Sequence, residues 1–340
     1  MTPSNSPTTL FASRISGTGS AFPEGRLTNQ ELAVRVDTSD EWIRERTGIS
    51  ERRIAKPGDP NEFNSSLGYR AALKALEMAG KRPEDIDQIL YATCSPDTLV
   101  PSTACWLQAK LGAKRAWAVD INAACSGFLY GLSMADTFVR AGQSKTILVV
   151  GAEVLSSFVN WEDRTSCILF GDAAGAAIVE RTSSDSPQRI LSSHLHSDGT
   201  LTDLLGMPAG GSRSPVTADT IALKQNFLQM KGREVFKVAV KTLADFAQTA
   251  IETNGFKAED IDWFIPHQAN LRIIEAVANR LDFPMEKVLL NVERYGNTSA
   301  ATVPTMLDEA VRDGRIKPGH LVLLDVFGAG LTYGSILMRW

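Results

Sequence analysis

The chain has 340 residues, 44% of them hydrophobic, and a formal net charge of −4. That length fills one large core or two medium ones; the charge gives no electrostatic footprint for nucleic acid, and no apolar run nears the ~20 residues that span a bilayer. Four cysteines without CxxC spacing (Cys94, Cys105, Cys125 and Cys167) point to a reducing, cytoplasmic setting rather than a disulfide framework or a zinc site.

Residues 1–10 are rich in Ser, Thr and Pro and lack the basic and apolar regions of a signal peptide, so a short disordered tail is expected. Ile15 to Ala21 reads as a strand. Its Gly17-Thr18-Gly19 hints at a dinucleotide loop, but the third glycine and the following helix are missing. Thr28 to Val36 is a short helix in which Thr28 and Glu31 form a capping box. A second helix starts near Thr38 and carries Trp42, Arg44 and Arg46. Asn64 to Ala79 is a helix closed by Gly80, Ile86 to Cys94 a strand, Ser102 to Leu111 a helix and Ala116 to Ile121 a strand. Such alternation implies a mostly parallel sheet with right-handed crossovers.

Cys125 then falls between the strand ending at Ile121 and a helical pattern over Phe128 to Val139. Unpaired N–H groups and the macrodipole at a helix N-terminus favour a thiolate, which predicts a pKa lowered from about 8.5 to about 7 or less. Cys94, Cys105 and Cys167 lie in apolar segments and read as core filler. His194 and His196 alternate on a strand without a third metal ligand, and His320 reads as a surface residue before a strand.

The second part of the chain repeats the first. Glu84-Asp85-Ile86-Asp87 and Glu259-Asp260-Ile261-Asp262 each open a strand. A helix follows in each copy (Ser102 to Leu111; Asn270 to Leu281), then a second strand (Ala116 to Ile121; Val288 to Val292). A small-residue turn, a helix ending near Gly142 or Gly314, and an apolar strand (Thr146 to Gly151; His320 to Val326) complete the pattern. The expected division is 11–185 and 186–340. In the second copy His267 follows the strand Trp263 to Ile265, at the strand end where α/β proteins bind ligands. Tyr295 to Ala300 takes the place of the Cys125 turn. Phe327 to Thr332 reads as a flexible loop able to present N–H groups as an oxyanion hole. Thiol, imidazole and amide supply a nucleophile, a proton handler and a neutral donor.

Six motifs carry a resemblance: DTSDEWIRERTGI (37–49), DINAACSGF (120–128), LFGDAAGAA (169–177), DWFIPHQANLRII (262–274), RYGNTSAATVP (294–304) and DVFGAGLTYGS (325–335). With them the chain resembles the β-ketoacyl-[acyl-carrier-protein] synthase III family, the initiating condensing enzymes of type II fatty acid synthesis. The resemblance implies an α/β thiolase-like fold of two duplicated halves in αβαβα layers. It implies Cys125 as acyl-accepting nucleophile, with His267 and Asn297 completing the triad and the backbones of Cys125 and Ala329 holding an oxyanion. It places coenzyme A on Trp42, Arg46, Thr47, Arg164 and Asn270, the carrier protein on Lys237, Arg272 and Arg280, and the acyl pocket at Val100 and Phe327. Asn279 and Val100 depart from residues common in the family, a lysine and an aromatic.

The implied reaction is ping-pong. An acyl-CoA, expected to be acetyl-CoA, acylates Cys125; malonyl-carrier protein then loses CO2 and condenses. CoA thioesters are substrates, no cofactor or metal is called for, and a homodimer is implied. A papain-like hydrolase shares the Cys, His, Asn order but not the local sequence. Thiolases need a second cysteine in the C-terminal half, and none follows Cys167. Elongating synthases pair the cysteine with two histidines. A condensing enzyme of secondary metabolism with another primer is the alternative, and a non-catalytic carrier-binding protein the remote one.

Overall fold

The computed structural model describes residues 11–340, and the tail expected at 1–10 lies outside the described residues. The repeated acidic turns do the same work twice. Each forms a 3-10 turn with a reciprocal cap, Arg82 with Asp85 and Lys257 with Asp260. The following aspartate then clamps the start of a neighbouring strand: Asp87 accepts from the Lys145 and Thr146 N–H groups at 2.7 and 3.1 Å, and Asp262 from Leu321 N–H at 2.7 Å.

The strands are β1 (Phe11–Ala21), β2 (Arg26–Thr28), β3 (Glu51–Arg53), β4 (Gln88–Ala92), β5 (Trp117–Ile121), β6 (Thr146–Val154) and β7 (Asp172–Ser183). After the junction come β8 (Arg189–Ser197), β9 (Leu205–Gly206), β10 (Gln229–Met230), β11 (Trp263–Pro266), β12 (Leu321–Gly328) and β13 (Thr332–Arg339). The main sheets have the orders β1-β7-β6-β4-β5 and β8-β13-β12-β11, the same topology entered twice. The helices are α1 (Asn29–Ala33), α2 (Asp40–Thr47), α3 (Asn64–Ala79), α4 (Thr103–Leu111), α5 (Gly127–Arg140), α6 (Arg164–Cys167), α7 (Ala218–Ala222), α8 (Gly232–Thr253), α9 (Leu271–Arg280), α10 (Val292–Tyr295) and α11 (Thr302–Arg312). Helices α3 and α4 cover the outside of the first sheet, and α8 and α9 the outside of the second. Between the sheets, α5 and α11 bury Phe128, Leu132, Met306 and Leu307 against both. Five layers result, αβαβα.

Two local expectations change, and a third reading already set aside stays so. The sheets are mixed: β4 runs parallel to β5 and β6, but β7 is antiparallel to β1 and β6, and β13 is antiparallel to β12 and β8. A parallel partner needs a crossover of a dozen or more residues, usually a helix, and none stands between β12 and β13. The strand expected over Val288 to Val292 shrinks to one parallel bridge, Val288 to Phe264. There the Gln268 side chain takes the ladder's place: it donates to Leu289 O at 3.1 Å and accepts from Asn291 N–H at 3.1 Å. Gly17 and Gly19 lie inside β1 rather than in a phosphate loop. A Cβ on either would stand 2.2 Å from Ala75 O or 2.1 Å from Ala71 O, so their absence lets α3 rest on the strand.

Candidate active site

Cys125 lies in the 3-10 turn Ala124–Ser126 ahead of α5, and Ser299 opens the turn Ser299–Ala301 ahead of α11. The two turns are built alike. Ala124 and Ser299 both adopt left-handed backbone, φ 46° and 50°. The N–H of each reaches an asparagine two residues back, Asn122 at 3.4 Å and Asn297 at 2.8 Å. Left-handed non-glycine residues cost about 1–3 kcal/mol each and persist only where surroundings enforce them. By this correspondence Asn297 matches Asn122, and Cys125 matches Ala300.

The second turn ties the candidate residues together. The turn packs against the cysteine turn, the Ser299 hydroxyl donates to Glu153 Oε1 at 3.0 Å, and the Ser299 N–H orients the Asn297 amide through its Oδ1. Thr302 Oγ1 lies 2.8 Å from His267 Nδ1 and 3.0 Å from Ser299 O. Ser299 O accepts both the Thr302 backbone N–H and the Thr302 hydroxyl. His267 is buried, and burial lowers its pKa to about 3, so it is neutral at physiological pH.

Cys125 departs from expectation. Burial pushes its thiol up to about 12, against which the Ser299 hydrogen bond pulls down, while Glu153 adds to the rise. The loss of water around the sulfur outweighs the helix terminus. Nor is the expected loop after Phe327 open: Gly328 ends β12 and Thr332 begins β13, a tight hairpin. A Cβ on Gly328 would stand 2.8 Å from Cys125 N. Thr332 Oγ1 donates to Ala123 O, and Thr332 O accepts from Ser126 Oγ, both at 2.8 Å. Ala329 is therefore held beside the cysteine turn. Phe327 is buried and stacks on Tyr333 with centroids 6.3 Å apart.

Trp42 lies between two guanidinium groups, Arg46 at 5.6 Å and Arg164 at 5.0 Å from its ring centre. Asn270 Nδ2 donates to Arg46 O at 3.2 Å, which joins α9 to this cluster. Thr47 is buried with its hydroxyl spent on Ile43 O at 2.7 Å, a helix-end contact rather than a surface donor. Lys237 and Arg272 are exposed on the packed pair α8 and α9, and Arg280 meets Asp245 at 3.4 Å. Val100 is 86% exposed at a loop tip beside Leu99, so it walls no pocket within its own chain. A cavity of about 940 Å³ opens elsewhere, between Phe63, Ser95, Thr98, Trp106 and Trp161; it touches none of Cys125, His267 and Asn297.

Sequence reasoning passed over Ser299, Thr302 and Glu153. The signal for Glu153 was present: a carboxylate closing an otherwise apolar strand. Cys94 packs against the core as expected, and its thiol also reaches Glu153 Oε1 at 3.3 Å. Cys105 is exposed, with its sulfur 3.2 Å from Ser102 Oγ. His194 bonds Ser192 at 3.0 Å and His196 packs on Phe246 and Tyr333. Among the described residues no three His, Cys, Asp or Glu side chains gather as metal ligands would, and no helix is long and apolar enough to cross a membrane.

Two stacked, duplicated halves with a cysteine on one inner turn and an asparagine on the other define a thiolase-fold condensing acyltransferase. The 3-oxoacyl-[acyl-carrier-protein] synthase III family matches residues 119–199, and its C-terminal part residues 251–340. A β-ketoacyl-[acyl-carrier-protein] synthase III of Xanthomonas campestris is 53% identical over 96% of this chain and 98% of its own. The 3-oxoacyl-[acyl-carrier-protein] synthase III structure from Aquifex aeolicus is 45% identical, with TM-score 0.88 over 96% of this chain and 100% of that one. A priming β-ketosynthase of the R1128 polyketide pathway is 36% identical, with TM-score 0.89 over 99% of each chain. The chain belongs to the β-ketoacyl-[acyl-carrier-protein] synthase III family.

Proposed function

We propose that this enzyme performs the initiating condensation of fatty acid synthesis by a ping-pong route through acyl-Cys125, with acetyl-CoA as primer. The observation that carries the reading is the single turn, Asn297 to Thr302, that packs against the Cys125 turn and holds the asparagine and the histidine's partner. Cys125 attacks the thioester, and the N–H groups of Cys125 and Ala329 take the tetrahedral oxyanion. Malonyl-carrier protein then loses CO2, and the enolate oxygen accepts from His267 Nε2–H and Asn297 Nδ2–H in a dry site. Trp42, flanked by Arg46 and Arg164, offers a stacking face and two cations to the adenine and phosphates of CoA. Incubation with radiolabelled acetyl-CoA tests this: label on Cys125 that malonyl-carrier protein discharges supports it, and an unlabelled protein refutes it.

The carrier protein, acidic in this pathway, docks on the face of α8 and α9 through Lys237 and Arg272, with Arg280 weakened by its Asp245 pair. Arg272→Glu is expected to raise KM for malonyl-carrier protein several-fold, in a salt-dependent way, and to leave self-acylation alone. Equal damage to both steps counts against docking. A second copy of the chain covers the edge strand β5, where Trp117 and Val119 are exposed, and receives the Leu99-Val100 tip at its acyl pocket. The halves divide between residues 185 and 186, and the free thiols suit the cytoplasm.

The second reading, a relative with a longer primer, draws on the polyketide priming enzyme and on Val100. A buried methylene contributes about 0.8 kcal/mol, so each extra carbon accommodated changes preference about fourfold. Val100→Phe is expected to shift kcat/KM towards acetyl-CoA over butyryl- and hexanoyl-CoA. An unchanged ratio would remove Val100 from the pocket.

A further inference from the structure

Arg52, in the middle of β3, is wholly buried and bonds no carboxylate among the described residues. Its Nη1 donates to Leu27 O at 3.3 Å and to Asn29 Oδ1 at 2.8 Å, and its Nη2 to Ile168 O at 2.6 Å. Burial lowers its pKa to about 10, so it still carries its charge at neutral pH. A buried cation held by neutral acceptors alone is a costly way to stabilise a fold. What the guanidinium does provide is a rigid planar fork of donors, which ties several segments into one geometry.

One arm of the fork runs to the Trp42 cluster. Asn29 is itself wholly buried, and its Nδ2 donates to Asp40 Oδ1 at 2.8 Å and to Ile49 O at 2.7 Å. Asp40 opens α2 and Ile49 follows its end, so Asn29 grips both ends of the helix that carries Trp42 and Arg46. The other arm reaches Ile168, the C-cap of α6, the helix that carries Arg164. The next residue, Leu169, accepts Asn297 N–H at 2.8 Å, and Gly171 N–H donates to Asn297 O at 3.0 Å. Both of these segments lie on the Arg52 side chain: a Cβ on Gly171 would stand 3.1 Å from Arg52 Cβ, and one on Gly296 3.6 Å from it.

We propose that Arg52 is a positioning residue that sets the coenzyme A cluster and the catalytic asparagine in one frame. Through Asn29 it orients α2 with Trp42 and Arg46; through Ile168 O it fixes Arg164 and the segment 169–171 to which the Asn297 backbone is bonded. Being wholly buried, Arg52 touches no substrate and acts only through these partners. Cys125 lies outside this frame, in its own turn ahead of α5.

The inference rests on the roles proposed for Trp42 and Asn297, and its test separates three readouts on the full protein: KM for acetyl-CoA, labelling of Cys125 at saturating acetyl-CoA, and release of labelled CO2 from malonyl-carrier protein. Arg52→Met is expected to raise the KM and to lower CO2 release, each about tenfold, with saturated labelling of Cys125 within about twofold of wild type. Equal falls in both rates at an unchanged KM are what a smaller folded fraction gives, and overturn the proposal. Arg52→Lys keeps the charge without the fork and is expected to show the same pattern, so it carries the test if the methionine variant does not fold; wild-type values in it overturn the proposal. Asn29→Ala cuts only the arm to α2. Malonyl-carrier protein brings no adenine to Trp42, so this variant is expected to raise the acetyl-CoA KM and to leave CO2 release alone. Because the two residues act in series, the double variant Asn29→Ala/Arg52→Met is expected to raise that KM no further than Arg52→Met does; additive increases overturn the shared frame. A wild-type protein that neither labels from acetyl-CoA nor releases CO2 refutes the proposed function instead.

Discussion

His267→Ala is expected to stop decarboxylation of malonyl-carrier protein, by about 10²–10³-fold, while Cys125 still takes an acyl group from acyl-CoA. The size is that of losing one preorganised donor to a developing oxyanion in a dry site. The selectivity follows from the separate settings of the two residues: His267 is held by Thr302, whereas Cys125 sits in its own turn ahead of α5. Asn297→Ala is a less clean probe, because its Oδ1 also satisfies Ser299 N–H at 2.8 Å and its loss disturbs both steps. Release of labelled CO2 and labelling of Cys125 are measured on the same preparation. Decarboxylation at the wild-type rate would overturn the role given to His267.

The same burial sets the pH behaviour. With its pKa lowered to about 3, His267 stays neutral, so decarboxylation is expected to show no histidine inflection between pH 5 and 8. For stability the folded-state pKa lies below the unfolded value of about 6.5. The unfolded chain therefore binds the proton first, and stability falls as pH drops below that value, by at most about 1.4 kcal/mol per unit. Asp172 runs the other way. Burial raises it to about 6, so the stability tied to its protonated form is present below about 3.9 and lost as pH rises through 6.

Gly151→Ala is expected to damage fold and chemistry together. The new Cβ would lie 2.3 Å from Ala300 O and 2.9 Å from Ala300 C, with Phe128 Cβ at 3.2 Å behind it. A backbone carbonyl cannot swing aside as a side-chain tip can, so the turn Ser299–Ala301 must move. Overpacking of this kind costs about 1–3 kcal/mol or more. Because that turn carries Ser299 and is bonded to Asn297, a displacement near 1 Å is expected to lower both half-reactions about 10²-fold. Gly199→Ala, where a Cβ meets nothing within 4 Å, is the control expected to leave melting temperature and activity alone. A wild-type melting temperature and rate in Gly151→Ala would mean that the turn tolerates the shift.

Much of this protein is legible along the chain because its signals are local. Thr28 caps α1 and Glu31 completes the box as the spacing implied. The helix over Asn64–Ala79 and its left-handed Gly80 follow from periodicity and a stop residue. The two Glu-Asp-Ile-Asp turns announced a duplicated fold because each begins a strand with the same capped geometry. Cys125, His267 and Asn297 stood out because a strand end, a small-residue turn and a helix start are readable from a few neighbours.

Tertiary structure decided what depends on partners distant in sequence. The thiol of Cys125 rises rather than falls because desolvation is a property of everything packed around it, whereas the helix terminus is a property of its own segment. Glu153 becomes an acceptor beside the nucleophile only when β6 meets the turn at Ser299, 146 residues away in the chain. The strand expected at Val288 is lost because Gln268, from the preceding segment, captures its backbone groups. Local periodicity sets which elements form; which polar groups lose water, and to which partner, is settled only by long-range packing.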